Sequence, residues 1–247
     1  MFGRERQREP ELSYLTVVTY GRTGSTAIQS ALNALPGVVV RGENYGAMRG
    51  LRAYLQSVAE TADRHHAGRP DHPWYGSARL DPSAVLADLR RHVVEFILRP
   101  GRGTRVIGFK EVRYESGHFA TYDLLLEYLI FLGQLFPGLT YLMNVRDPAD
   151  AARSGWWPGN DQALEVLGTT REWMTSAVAD LNDLYGHGRA VLVDYADWTA
   201  DVKVLIAAFD ALGLPKDDAA VMAALDARLT HGPHGGQGSP DSAGGPG

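Results

Sequence analysis

The chain has 247 residues, of which 45% are hydrophobic and 21% are charged, and its formal net charge is −5. This composition can bury a core, which excludes a wholly disordered, collagen-like or coiled-coil protein. The chain contains no cysteine, which excludes disulfides, a thiolate nucleophile and cysteine-ligated metal sites. The negative charge argues against indiscriminate attraction to nucleic acid or an anionic membrane, so an anionic ligand would need a local cluster of cations.

The ends and the most apolar segment of the chain bear on its location. Residues 1–9 are charged, and no apolar core of a secretory signal follows them. The most apolar stretch, 124–132, contains Glu127 and is shorter than the ~20 residues that cross a bilayer. It is typical of a buried helix. These features predict a cytoplasmic protein without a transmembrane segment.

The chain is predicted to form a single domain, residues 1–230, followed by a tail. The tail, residues 231–247, is rich in glycine and proline and is predicted to be disordered.

Short β-branched and apolar runs alternate with longer stretches of helical periodicity. This alternation is typical of βαβ units, and it predicts an α/β fold with a parallel, P-loop-like sheet and helices on both faces. In chain order, the predicted strands are residues 15–20, 38–40, 106–109, 139–145 and 190–193. Between the second and third strands, two helical patterns flank a polar loop at 65–73 that is long enough to cover a site.

A glycine-containing loop, Gly-Arg-Thr-Gly-Ser-Thr at 21–26, connects the first strand to the first helix. At this position an α/β sheet presents backbone N–H groups and a helix N-terminus to an anion. Glycine lets the backbone close around oxygen atoms, hydroxyls can donate hydrogen bonds, and arginine adds a positive charge. The loop therefore predicts a phosphate or sulfate site with the contacts Arg22, Thr23, Gly24, Ser25 and Thr26. The competing interpretation is an ordinary turn in which Ser25 or Thr26 caps the helix.

A second candidate anion site follows the fourth strand. Arg146 is at the carboxyl end of that strand, and Ser154 comes two helical turns later, after Pro148 starts a helix. Ligands of α/β sheets bind at the carboxyl ends of strands, so both side chains can converge on one phosphate there. Two anion sites on one sheet predict an elongated ligand with several negative charges.

These segments together resemble the sulfotransferases that use 3′-phosphoadenosine 5′-phosphosulfate as donor. The segments that carry the resemblance are 22–26, 145–148 with Ser154, and 193–198 with the helix after it. The resemblance spans residues 14–215. It implies that the first loop binds the 5′-phosphosulfate, that Arg146 and Ser154 bind the 3′-phosphate, and that Tyr195 lies near the adenine.

The candidate base distinguishes two branches of that family. Val112 stands where the cytosolic members carry a histidine base, two positions after a lysine. The chain is closer to the carbohydrate and tyrosylprotein sulfotransferases, which have a glutamate after the second strand. Glu43 occupies that position, and the resemblance supports a general-base role for it. A surface ion pair of Glu43 with Arg41 or Arg113 is the competing interpretation.

Sulfuryl transfer needs positive charge at the bridging oxygen and a base for the acceptor proton. Arg22 is the predicted partner of the bridging oxygen, and Lys110, at the end of the third strand, can reach the sulfuryl oxygens. Glu111 is the second candidate for the base, or it orients Lys110 or Arg113. A sulfuryl group carries less charge than a phosphoryl group, and the 8 histidines show no metal-binding spacing, so we expect no catalytic metal.

The resemblance implies an acceptor that is a small molecule with a hydroxyl, such as a sugar, a glycolipid or a phenolic natural product. Candidate acceptor contacts are Glu43, Tyr45, Glu111, Arg113, Trp156 and Trp157, with Trp74 and Tyr75 as further aromatic residues. Core or surface packing is the competing interpretation for each aromatic residue. The oligomeric state stays open, and a homodimer is one alternative.

Two other functions also stay open. A small-metabolite kinase on a P-loop-like fold would need a magnesium-binding carboxylate and the lysine of G-x-x-x-x-G-K-[ST], which the 21–26 loop lacks. A non-catalytic protein on the same sheet would bind the nucleotide and transfer nothing. Loss of Glu43 would leave the function of such a protein unchanged.

Overall fold

Five parallel strands form one sheet in the computed structural model, which describes residues 12–64 and 68–230. The strands are β1 (Ser13–Thr19), β2 (Val38–Arg41), β3 (Val106–Glu111), β4 (Thr140–Val145) and β5 (Ala190–Asp194). Their order is β2-β3-β1-β4-β5, and all neighbours pair in parallel. The five strands predicted from the β-branched runs are confirmed to within two residues at their ends.

Helices connect the strands. In the part of the chain that the structure describes, they are α1 (Ser25–Ala34), α2 (Ala47–Ala62), α3 (Pro82–His92), α4 (Tyr122–Leu135), α5 (Pro148–Ala152), α6 (Ala163–Tyr185), α7 (Tyr195–Ala200), α8 (Val202–Ala211) and α9 (Asp218–Thr230). A short 3₁₀ helix (Ser77–Arg79) precedes α3, and a π-helix (Val93–Leu98) continues it. The apolar stretch 124–132 lies inside α4, as predicted.

Some sequence predictions concern residues that the structure does not describe. The charged residues 1–9, the centre of the polar loop and the tail 231–247 lie outside the described residues. Across 12–64 and 68–230, no helix is long and apolar enough to cross a membrane.

Helices cover both faces of the sheet, which confirms the predicted architecture. One face packs against α1, α8 and α9 through residues such as Ile28, Phe209 and Val221. The other face packs against α4 and α6 through residues such as Leu129 and Met174. Because both faces of a parallel sheet are buried, its strands are apolar along nearly their whole length.

The chain reverses its direction across the sheet between β1 and β4. The connection that leaves β1 passes through α1 to β2 on one side, and the connection that leaves β4 passes through α5 and α6 to β5 on the other. The carboxyl ends of β1 and β4 therefore border the kind of crevice in which α/β sheets bind ligands. The 21–26 loop follows β1 and Arg146 follows β4, so both predicted anion sites lie at this crevice.

Candidate functional site

The 21–26 loop turns sharply between β1 and α1. Arg22 and Gly24 have the left-handed backbone conformation, with φ of 71° and 77°, and α1 begins at Ser25 with Gly24 as its N-terminal cap. Among the described residues, no side chain caps the first-turn N–H groups of this helix. The N-terminus of α1 is therefore open to an anion, and the interpretation in which Ser25 or Thr26 caps the helix is wrong.

Thr23 anchors the loop from inside. Its hydroxyl lies 2.6 Å from the Thr19 hydroxyl and also donates to the Tyr20 carbonyl at 3.2 Å. Buried Asn144 on β4 donates to the Thr23 carbonyl at 2.8 Å and accepts from the Trp198 indole N–H at 3.1 Å. The hydroxyl of Thr23 is thus engaged within the protein. This network fixes the shape of the loop before a ligand arrives.

Arg146 lies against the same loop. Its Nη1 donates to the Arg22 carbonyl at 3.0 Å, and its guanidinium carbon is 4.3 Å from the centre of the Tyr195 ring. The Tyr20 hydroxyl accepts from the Arg146 N–H at 2.8 Å and donates to the Arg146 carbonyl. Burial raises the pKa of Tyr20 to about 12, so the hydroxyl stays protonated and fixes the end of β4 against β1.

Ser154 reaches the loop through Arg22. Arg22 Nε donates to the Ser154 hydroxyl at 2.8 Å. Gly155, with φ of 70°, allows this approach, because a Cβ there would lie 2.5 Å from Arg22 Cδ. The sequence predicted that the helix starting at Pro148 continues to Ser154. Helix α5 ends at Ala152 instead, so Ser154 lies in the turn after the helix. The two predicted anion sites are joined into one, because Arg22 contacts both Arg146 and Ser154.

Two aromatic side chains cover the glycines of the loop. A Cβ at Gly21 would lie 2.2 Å from Trp156 Cζ2, and a Cβ at Gly24 would lie 2.6 Å from Tyr195 Cε2. A side chain at either position would displace the ring above it. Trp156 is 61% exposed, whereas Trp157 is 6% exposed and packs in the core. The structure therefore brings Trp156 and Tyr195 to the loop and places Trp157 in the core.

Glu43 and Lys110 form an ion pair at the carboxyl ends of β2 and β3. Lys110 Nζ lies 2.5 Å from Glu43 Oε1, and Arg113 Nη1 lies 3.5 Å from Glu43 Oε2. The lysine side chain is 6% exposed and the glutamate side chain 38%, so the carboxylate is open to a reactant. The ion pair with Arg113 that the sequence left open is present, whereas Arg41 donates to the carbonyls of residues 98 and 99.

Glu111 binds backbone N–H groups with both of its oxygen atoms. Oε2 accepts from Gly46 at 2.8 Å and from Asn44 at 3.2 Å, and Oε1 accepts from Val112 at 2.8 Å. Burial alone would raise the pKa of Glu111, but these N–H groups and the Arg113 charge hold it below its ordinary value. Glu111 is therefore a poor proton acceptor, and its contacts fix the segment after β2 against the end of β3.

Of the remaining aromatic candidates, one lies in this region and two do not. The ring centre of Tyr45 lies 3.9 Å from the Arg113 guanidinium carbon, and Tyr45 is 80% exposed. Trp74 and Tyr75 pack beside Thr61, at the opposite end of α2. The two ends of this helix are about 24 Å apart. Trp74 and Tyr75 therefore do not line the site, and the expectation that they could is wrong.

A pair formed by a buried glutamate and an exposed histidine, next to Gly21, was not found from the sequence. Glu115 is buried, and its Oε2 lies 2.8 Å from His118 Nδ1. Burial raises the pKa of Glu115 to about 7, although the N–H groups of Glu115 and Gly21 and the Arg113 charge lower it. Burial, followed by the charges of Arg49 and Arg113, lowers the pKa of His118. Only a Glu-x-x-His spacing marks this pair in the sequence, and that spacing is too common to single it out.

The arrangement combines two kinds of chemistry at one edge of the sheet. The open helix N-terminus, Arg22 and Arg146 can hold an anion with several charges. The Glu43–Lys110 pair places a carboxylate beside a cation, which suits a reaction that moves a proton and develops negative charge. Within residues 12–64 and 68–230, no three carboxylate or imidazole side chains converge to form a metal site.

Comparison with known proteins gives matches in structure alone. No protein-family model matches the chain, and no curated protein matches its sequence. The sulfotransferase domain from the Synechococcus PCC 7002 olefin synthase aligns with a TM-score of 0.51 and 21% identity, over 89% of this chain and 79% of that one. The sulfotransferase domain from the curacin biosynthetic pathway aligns with a TM-score of 0.51 and 13% identity, over 87% and 78%. The chain therefore shares the fold of these two sulfotransferase domains.

Proposed function

We propose that the protein transfers a sulfuryl group from 3′-phosphoadenosine 5′-phosphosulfate to a hydroxyl of a small-molecule acceptor. The observation that carries this proposal is the joined site, in which Arg22 links the glycine loop to Arg146 and Ser154 beside the Glu43–Lys110 pair. The fold shared with two sulfotransferase domains supports the same function.

The donor carries anionic groups on both sides of one ribose, and the joined site offers a helix N-terminus for one and two arginines for the other. The N-terminus of α1, which begins directly after Gly24, receives the 5′-phosphosulfate. Arg146 and Ser154 receive the 3′-phosphate. Arg22 completes that second contact, because its guanidinium lies on the Ser154 side of the loop. Tyr195, which packs on Gly24 and under Arg146, borders the adenine.

This placement changes one assignment made from the sequence. Arg22 was expected at the bridging oxygen of the donor, but its Nε bonds Ser154. Lys110 is the cation paired with the proposed base. We therefore assign Lys110 to the sulfuryl and bridging oxygens, and Arg22 to the 3′-phosphate.

Transfer forms one S–O bond and breaks another. The acceptor oxygen attacks sulfur, the bond from sulfur to the bridging oxygen breaks, and adenosine 3′,5′-bisphosphate leaves with the bonding electrons. Glu43 takes the acceptor proton, and Lys110 stabilises the charge that develops on the leaving oxygen. The rest of the acceleration comes from positioning and from the fixed positive charges of the arginines, without a catalytic metal.

The acceptor approaches from the exposed side of Glu43. Tyr45 is exposed and stacks on Arg113, which contacts Glu43, and Trp156 is exposed over Gly21. Aromatic surfaces of this kind pack against the flat face of a sugar or a phenol ring. A sugar, a glycolipid and a phenolic natural product are therefore the acceptor classes to test.

The decisive substitution is Glu43→Gln, which keeps the shape of the side chain and removes the proton acceptor. With sulfur-labelled donor and a panel of sugars, phenols and steroids, we expect the turnover rate to fall about 10²–10⁴-fold. Affinity for adenosine 3′,5′-bisphosphate should stay at the wild-type value. Glu95→Gln, at an exposed position of the π-helix, is the matched control and should behave as wild type.

Transfer that survives Glu43→Gln at the wild-type rate would contradict the assignment of the base. Tight binding of the bisphosphate with no labelled acceptor would support the non-catalytic alternative. Phosphate transfer from ATP with magnesium would support a kinase.

A further inference from the structure

A cleft of about 390 Å³ opens between α2 and α4. Its walls are the first three turns of α2, the loop at 118–120 and the start of α4. The apolar lining side chains include Phe119, Leu124 and Tyr128, and the polar ones include Arg49, Arg52 and His118. Clefts of roughly 300–1,000 Å³ with mainly apolar walls and a few polar groups are typical of small-molecule sites.

The first link between this cleft and the reactive pair runs through the start of α2. Glu111 accepts from the Gly46 N–H at 2.8 Å and contacts Arg113 at 3.2 Å, and Arg113 in turn contacts Glu43. The Arg49 guanidinium lies against Gly46: a Cβ built on Gly46 would be only 2.9 Å from Arg49 Nη2. Arg49, which lines the cleft, thus lies against the same peptide segment that carries Glu43.

The second link runs through His118 and Glu115. His118 lines the cleft, and its Nδ1 lies 2.8 Å from the Glu115 carboxylate. That carboxylate faces the backbone N–H of Gly21 in the anion-binding loop. Two residues that line the cleft, Arg49 and His118, are therefore linked by contacts to both halves of the site, the Glu43–Lys110 pair and the glycine loop.

Arg49 is the cation that the cleft leaves unneutralised. Arg52 is paired with Glu127 on α4. Arg49 lies over the Phe119 ring at 5.7 Å and reaches the His118 carbonyl at 3.5 Å. In the described part of the chain, no carboxylate forms an ion pair with Arg49. An apolar cleft with one unneutralised arginine is complementary to an apolar molecule that carries one negative group.

We propose that the cleft between α2 and α4 binds the acceptor, and that the acceptor is an elongated amphiphile with a hydroxyl at Glu43, an apolar body in the cleft and a carboxylate or phosphate at Arg49. This inference rests on the proposed sulfuryl transfer. The contacts that join Arg49 to Glu43 run through Gly46, Glu111 and Arg113. An acceptor that reaches both Glu43 and Arg49 must therefore span these three residues. Short hydroxy acids such as lactate are too small to reach both ends.

The test uses ω-hydroxy carboxylic acids of graded chain length, each beside its methyl ester. We expect transfer to the acids to rise with chain length, and the acid of best length to have a KM at least about tenfold below that of its ester. An ω-hydroxyalkyl phosphate of the same length distinguishes a phosphate from a carboxylate acceptor. Binding of each compound is also measured by calorimetry with adenosine 3′,5′-bisphosphate present, which needs no turnover.

Arg49→Gln should remove the preference for acid over ester, and Arg49→Lys should restore part of it. Arg91→Gln is the matched control, because Arg91 is exposed on α3 and pairs with Asp88. Retained bisphosphate affinity and an unchanged thermal midpoint show that the Arg49 variants are folded.

The outcomes separate this inference from the proposed function. Equal transfer to acid and ester, or a preference that persists in Arg49→Gln, overturns the inference and leaves sulfuryl transfer standing. Arg49-dependent acid binding without any labelled product supports the cleft and contradicts the proposed function. Absence of acid binding in the calorimeter overturns the inference, and it overturns the proposed function as well only if no labelled product forms with the sugars, phenols and steroids either.

Discussion

Adjacent residues at the end of β3 have different roles because their side chains leave the strand on opposite faces. Lys110 pairs with Glu43 at the opening of the site. Glu111 is turned towards the backbone N–H groups of Asn44 and Gly46. A substitution of Lys110 therefore tests the proposed chemistry. A substitution of Glu111 tests whether its contacts hold the loop that carries Glu43 in place.

The Glu115 carboxyl predicts a dependence of stability on pH. Its pKa in the folded protein is about 7, above the ordinary value of 4.5. A raised pKa means that the folded state binds the proton more tightly than the unfolded state. The stability from this group is therefore fully present below pH 4.5 and is lost as the pH rises through about 7.

Glu115→Gln removes this titration. The free energy of unfolding of the wild type, relative to the variant, should fall by up to about 3 kcal/mol as the pH rises from roughly 5 to 8. Urea unfolding of both proteins across that range measures it. The neighbouring charges of Arg113 and Glu111 are present in both proteins and largely cancel in the difference. The titration of His118, which contacts Glu115, is removed by comparing both proteins in a His118→Gln background. A difference that does not change with pH would contradict the buried placement of Glu115.

At the scale of elements, β1 and β3 approach more closely at Gly108 than a side chain allows. A Cβ at Gly108 would lie 1.9 Å from the backbone carbonyl oxygen of Leu15. Backbone atoms of paired central strands cannot move aside as an exposed side chain can. We expect Gly108→Ala to lower the free energy of unfolding by about 3 kcal/mol or more, measured by chemical denaturation.

Gly168 on α6 gives the matched control. In the described part of the chain, no atom outside the neighbouring stretch of α6 itself lies within 4 Å of a Cβ at this position. Alanine there should raise stability by about 1 kcal/mol, because it favours the helix over glycine. If Gly108→Ala and Gly168→Ala change the free energy of unfolding by the same amount, the close packing between β1 and β3 does not require glycine at position 108.

At the scale of the whole molecule, the site depends on strand order. The sequence predicted each strand from its own β-branched run, and it predicted the anion loop from glycines between a strand and a helix. It also predicted two separate anion sites after β1 and β4. These strands are neighbours in the sheet, so the two sites merge through Arg22. Strand order depends on contacts between distant residues, which local patterns do not encode.

The same limit explains the side chains whose environment the sequence did not predict. Trp156 and Trp157 are adjacent and of one type, yet one is exposed over Gly21 and the other is buried. Glu115 carries no pattern of a buried acid, and it is buried only because the segment after β3 passes next to the glycine loop. Thr23 was expected to offer its hydroxyl to a ligand, but the buried Thr19 hydroxyl engages it.

Calorimetric titration with adenosine 3′,5′-bisphosphate and with adenosine 5′-monophosphate tests the joined site most directly. The account predicts that the bisphosphate binds more tightly, and that Arg146→Ala weakens only the bisphosphate, by roughly 10–100-fold. Arg153→Ala, which removes an exposed side chain paired with Asp150, should bind both nucleotides as the wild type does. No heat with the bisphosphate, or an unchanged affinity in Arg146→Ala, would contradict the account.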